Sequence, residues 1–108
     1  MSSEEMKRKL GFVVMNEGEW RIKVDDSEGE CHVIYDAHGR DVRQANREIR
    51  NLIAAIRGDA RLSVIHGFNH GTAIKQMVTS FNFGWRVTNV SSPSWNPGMT
   101  DLILKPAV

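Results

Sequence analysis

The stretch between residues 42 and 56 constrains the fold more than any other. Val42, Ala45, Ile49, Leu52, Ile53 and Ile56 recur at intervals of three and four, the spacing that lays apolar side chains along one face of a helix. Gly58 stands where such a helix would end. Two short β-prone runs bracket it, Val33-Ile34-Tyr35 and Leu62-Ser63-Val64-Ile65. A strand, helix and strand of these lengths imply a crossover whose two strands run parallel with a right-handed connection.

The alternation continues downstream. The second strand breaks at His66-Gly67-Phe68-Asn69-His70-Gly71, and Thr72 is placed to cap a second helix that turns Ala73, Ile74, Met77, Val78 and Phe81 inward. Residues 85–90 and 100–105 read as a third and a fourth strand, separated by a loop that holds Pro93 and Pro97. The expected class is α/β, in the order β-α-β-α-β-β, with a mixed four-stranded sheet and two helices in a domain over residues 31–108. If the last strand pairs antiparallel, the turns at 36–39, 66–71 and 96–100 meet at one sheet edge. Upstream, Gly11-Phe12-Val13-Val14-Met15 and Trp20-Arg21-Ile22-Lys23-Val24 flank a turn-rich tetrad. They predict a β-hairpin within an N-terminal extension, residues 1–30.

A chain of 108 residues supports one hydrophobic core. No apolar stretch nears the roughly 20 residues that span a bilayer, and no apolar segment of signal length follows the charged start. The expectation is a cytoplasmic protein without a membrane partner. The lone Cys31 cannot form an intramolecular disulfide and reads as a small apolar residue. The net charge of +1 hides an asymmetry: residues 1–30 carry 5 basic and 8 acidic side chains, net −3, and the remainder carry 9 and 5, net +4. The second part is the one suited to phosphate.

Three motifs sit on the three turns. Asp36-Ala37-His38-Gly39, the glycine-rich Ile65-His66-Gly67-Phe68-Asn69-His70-Gly71-Thr72-Ala73, and Asn96-Pro97-Gly98-Met99-Thr100-Asp101-Leu102-Ile103-Leu104 together resemble, in order and spacing, the motifs of the Smr (small MutS-related) domain family. The resemblance covers roughly residues 31–105. Tyr35 and Ala37 stand where the family usually has leucines, and Phe68 and Asn69 where its commonest form has a basic residue and glycine. The resemblance implies a two-layer α/β sandwich related to the C-terminal domain of translation initiation factor three. It also implies nucleic-acid binding, DNA or RNA, with endonuclease chemistry.

The residues support a parallel physical reading. Both helices start at the loop-bearing edge, where free N–H groups and positive dipole ends receive phosphate oxygens. Gly39, Gly67 and Gly71 either let backbone approach a phosphate or only make tight turns. His38, His66 and His70 lie on this edge beside Asp36. A histidine oriented by a carboxylate suits the acid–base work of phosphodiester cleavage, so Asp36 and His38 are the first catalytic candidates and His66 follows as acid or phosphate binder. A His/His/Asp metal site lacks a recognised ligand spacing, and no cofactor follows from the sequence.

At about 100° per residue, Arg40, Arg43, Arg47, Arg50 and Arg57 share one sector of the first helix, turned from its apolar stripe. The stripe is either a solvated face or a track for a phosphate backbone. Gly67, Phe68, Asn69, His70, Gly71, Thr72 and Lys75 complete the expected nucleic-acid contacts. Phe68 and Trp95 are either base-stacking platforms or cover for the core. Trp20, Trp85, Phe12, Phe81 and Phe83 are assigned to packing. Two functions compete with cleavage: a non-catalytic binding module on the same fold, and a small-molecule phosphohydrolase, for which the arginine stripe is too extended.

Overall fold

In the computed structural model of the chain, residues 3–14, 17–27, 29–67 and 72–108 are described. The elements run α1 (Ser3–Val13), α2 (Gly18–Arg21), β1 (Ile22–Asp25), β2 (His32–Asp36), α3 (Val42–Ala55), β3 (Ala60–Ile65), α4 (Thr72–Ser80), β4 (Val87–Ser91) and β5 (Met99–Leu104). One five-stranded sheet has the order β1-β2-β3-β5-β4. Strands β2 and β3 are parallel, and the other three pairings are antiparallel.

The six-residue apolar stripe forms the inner face of α3, with Ala45, Ile49, Leu52, Ile53 and Ile56 buried. Asp41 starts the helix, its carboxylate accepting the Gln44 N–H at 2.8 Å, the standard N-cap bond. At the other end, Ile56 turns to extended geometry and leaves backbone carbonyls without helical donors. Arg86 supplies them. Its guanidinium donates to the Ile53 and Ile56 carbonyls, to Gly58 O at 2.9 Å and to Lys105 O at 3.0 Å. Burial, and then the nearby Arg57, lower the Arg86 pKa from its ordinary value.

The strand register places Val33 and Tyr35 beside Leu62 and Val64, with Leu102 and Leu104 next in line. All six are buried in one core with the faces of α3 and α4. A polar cluster sits within it. Glu48, 2% exposed, accepts from the Tyr35 hydroxyl at 2.5 Å and from Gln44 at 3.3 Å, and pairs with Arg40 at 3.3 Å. Burial, reinforced by Glu48, raises the Tyr35 pKa far above its usual range, so the phenol stays a donor to the carboxylate.

The N-terminal hairpin is not present. Residues 11–13 belong to α1, residues 18–21 to α2, and only 22–25 form a strand, which pairs with β2 as a fifth strand rather than with its own upstream segment. Met6, Leu10, Val13 and Val14 supply the reason: they follow helical spacing, with Leu10 and Val14 buried and Met6 and Val13 packed against the core. Nor do these residues stand apart as an extension, since Leu10, Val14 and Ile22 share the core of residues 33–104. Gly18 makes the helix crossing possible. A Cβ there would lie 2.2 Å from the Gly11 carbonyl oxygen, so no larger residue fits without parting α1 from α2. The third expected strand begins at Val87 rather than Trp85. Among the described residues no helix is long and apolar enough to cross a membrane.

Candidate functional site

The three turns converge. At the end of β2 the Ala37 N–H still bonds Ile65 O at 2.8 Å, while the His66 and Gly67 N–H groups both donate to Gly98 O, at 2.9 and 3.1 Å. Gly67 adopts φ +86°, and a Cβ built on it would stand 3.9 Å from the His38 Cβ. That conformation favours glycine.

Asp36 and His38 meet, though not through extended geometry. The chain turns at once after β2, closed by Arg40 N–H to Ala37 O at 3.0 Å, with Gly39 at φ +82° in the third position of the turn. The Asp36 carboxylate accepts the His38 backbone N–H at 3.1 Å and touches imidazole Nδ1 at 2.5 Å. A carboxylate only accepts, so Nδ1 carries the proton and exchange with a substrate falls to Nε2. The His38 side chain is 57% exposed and that of Asp36 24%: the pair is open to a ligand on one side and seated in the fold on the other.

Arg21 holds this turn, and the sequence reading gave it no role. It is buried, and Nη1 donates to the Asp36 and His38 carbonyls, each at 2.9 Å. Its Nε binds the Glu17 carboxylate at 2.7 Å. The available signal was the Glu17/Arg21 pair at i, i+4, which becomes visible only once residues 18–21 are read as helix. Trp20 adds an aromatic neighbour. Its ring centre lies 5.6 Å from that of His38, and the Arg21 guanidinium sits 4.2 Å from the indole centroid.

His66 stands behind the edge. It is 2% exposed; Nδ1 lies 3.2 Å from Gly67 O and Nε2 3.0 Å from the Thr100 hydroxyl. The carbonyl requires a proton on Nδ1, so neutral His66 accepts from Thr100 and joins the end of β3 to β5. Burial lowers its pKa below the ordinary 6.5, and Lys75 lowers it further. His66 in an unfolded chain titrates near about 6.5. Between the lowered value and about 6.5 the unfolded state therefore binds the additional proton, and stability falls as pH drops through that window. Urea midpoints measured from pH 7.5 to 5 should show this loss, and His66→Gln should flatten it. An unchanged slope would place the loss at other groups, with His32, also lowered by burial and by Arg61, the first to replace.

The arginine stripe is shorter than the sequence indicated. Arg40 precedes the Asp41 cap and turns inward to Glu48 at 3.3 Å and Glu17 at 3.9 Å, its side chain only 11% exposed. Arg57 follows the helix end. Arg43, Arg47 and Arg50 remain exposed on α3; Arg50 Nε bonds Asn46 at 2.8 Å. The α3 N-terminus, one of two expected phosphate receivers, is occupied by the Asp41 carboxylate. Thr72 is the first residue of α4 and exposed, and Lys75 is partly buried one turn on. Phe68, Asn69, His70 and Gly71 lie outside the described residues.

The aromatic residues assigned to packing are largely outside: Phe12 is 84% exposed, Trp85 62%, and Trp20 and Phe81 both 45%. Phe83 is partly buried against the core, and Trp95 is exposed. On the far side of β2, β3 and β5 runs another polar chain that sequence reasoning missed. Ser63 donates to Asp101 at 2.5 Å, and His32 Nε2 lies 2.7 Å from the same hydroxyl. With its proton given to Asp101, the serine accepts from His32, the reverse of an activated nucleophile. Cys31, half-buried against Met6 at 3.5 Å, has its thiol pKa raised by burial and is unreactive. Among the described residues no group of three or more His, Cys, Asp or Glu could hold a metal ion. In comparisons with known proteins the chain matches no family model, no curated protein and no solved structure, so the reading of this edge rests on its own residues.

Proposed function

We propose that the chain binds nucleic acid at the convergent edge and cleaves phosphodiester bonds there, as an Smr-like domain whose residues 31–105 form the two-layer sandwich. The observation that carries the reading is the Asp36–His38 contact at 2.5 Å, fixed from behind by Arg21 and flanked by Gly67. In this reading His38 Nε2 takes the proton from the attacking hydroxyl or water, and Asp36 orients the imidazole and stabilises the charge it gains. His66 positions the Gly67 turn through Thr100. Gly39, Gly67 and Thr72 border the path of the phosphate, with Lys75 beside it. Arg43, Arg47 and Arg50 follow the backbone away from the cut.

A non-catalytic binding module is the second reading. It is favoured by two features: both His66 nitrogens are engaged within the fold, and an acid caps α3. The deciding experiment incubates purified protein with labelled single- and double-stranded DNA and RNA, with and without divalent cation, beside His38→Ala. Cleavage by the wild type alone supports the first reading and binding without cleavage the second. Equal cleavage by both proteins that disappears on further purification would expose a contaminant.

Binding through α3 has its own test. Replacing Arg43, Arg47 and Arg50 together by Ala should weaken affinity and flatten its dependence on salt, by about one unit of slope or slightly less per lost phosphate contact. Unchanged affinity and slope would leave the three arginines as solvated surface.

A further inference from the structure

Residues of α1 and α2 line an open groove of about 790 Å³ whose walls include Glu4, Lys7, Arg8, Phe12, Glu19 and Trp20, the last of these a neighbour of His38. Two aromatic rings reach its surface, Phe12 at 84% and Trp20 at 45% exposure. Exposed aromatic rings in a concavity rimmed by polar residues are a feature of ligand-binding grooves.

Trp20 is also fixed in place. The Arg21 guanidinium lies 4.2 Å from its ring centre while bonded to Glu17, Asp36 and His38, so the groups that set the catalytic turn also set the indole. The groove's fixed charges balance: Lys7 and Arg8 stand against Glu4 and Glu19, and the Glu17 carboxylate is taken by Arg21. A wall of that kind does not attract a phosphate chain. It suits a flat, neutral, polarisable ring, and the Trp20 ring centre stands 5.6 Å from that of the His38 imidazole.

We propose that Trp20 is a stacking platform for one unpaired nucleobase next to the phosphate that His38 meets, which makes the substrate class single-stranded or locally unpaired nucleic acid. The proposal rests on the nucleic-acid reading of the edge. Stacking on an aromatic side chain needs a base whose face is free, which a duplex interior does not offer. It discriminates little among bases, since each has a π-face.

The test is a cycle between the protein and short single-stranded oligonucleotides in which one abasic nucleotide is moved along the strand. Affinity is measured in a His38→Ala background, so that chemistry does not enter. An abasic nucleotide at one position should weaken binding roughly 5- to 150-fold, the range for loss of one base–aromatic stack. Trp20→Ala should weaken binding to the intact strand by the same factor and make that abasic position neutral. Trp20→Phe should restore most of the affinity, and duplexes should respond to neither change. The abasic series on the unaltered indole needs no folded variant at position 20.

Losses that multiply independently would show that Trp20 supports the turn without touching a base. That would overturn the platform and leave the edge reading intact. Equal sensitivity of duplexes would overturn it as well. Trp20-dependent binding by a protein that cleaves nothing would uphold the platform and remove the nuclease reading. Absence of binding to every oligonucleotide would remove both.

Discussion

If the edge cleaves phosphodiesters as proposed, Asp36→Asn and His38→Ala should each reduce cleavage by about 10²–10⁴-fold, the usual cost of losing acid–base assistance, while binding changes far less. The expectation follows from the geometry at the imidazole: Nδ1 is held by the carboxylate at 2.5 Å, which leaves Nε2 as the nitrogen that the proposed chemistry would use. Asn at position 36 keeps an oxygen acceptor for the His38 backbone N–H, so the turn should survive while the negative charge is lost. The double variant should be no worse than the less active single one, because residues that act as one unit are strongly non-additive. Single-turnover rates of the folded variants decide it; near-normal rates in both would remove the pair from the chemistry.

The largest expected stability effect lies at the opposite end of α3. Arg86→Ala withdraws charged donors from four carbonyls, those of Ile53, Ile56, Gly58 and Lys105. Hydrogen bonds to charged groups contribute about 1.5–3 kcal/mol each when buried, and water reaches part of this site after truncation, so a loss of roughly 3 kcal/mol is expected. For a domain of this size that corresponds to a fall of about 12–24 °C in Tm. Arg86→Lys should recover only part, since one ammonium cannot span the same fan of acceptors. Thermal unfolding followed by circular dichroism measures both, and an Arg86→Ala midpoint within a few degrees of wild type would show that water replaces the guanidinium fully.

Periodicity made the centre of the fold legible. The α3 stripe and the apolar runs of β2, β3 and β5 follow from spacing alone, because burial selects residues at 3.6 and 2.0 intervals; the meeting of three turns needed in addition an antiparallel last strand. The N-terminal segment was misread because Gly18, within residues 16–19, looks like turn punctuation. It is instead the place where α2 meets α1 with no room for a side chain, and nothing local distinguishes the two uses of glycine. Angular arithmetic assigned Arg40 to the arginine stripe by running the helix past its cap; the Asp41–Gln44 bond stops it, and buried Glu48 draws Arg40 inward. The Arg21 clamp and the His32–Ser63–Asp101 chain were invisible for another reason. Both depend on strand register, which pairs Ser63 with Asp101 across β3 and β5 and sets Ile22 opposite Tyr35, information that no single segment carries.

The strand order also bears on how the molecule behaves when crowded with copies of itself. Only β1 and β4 have an unpaired rim. The β1 rim is four residues long and carries Lys23 and Asp25, and the ladder of β4 is broken by a register shift between Val87 and Asn89. A short charged rim and a kinked one are poor templates for further strands. Exposed β4, with its ladder interrupted, thus offers a copy of the chain little regular backbone to pair with.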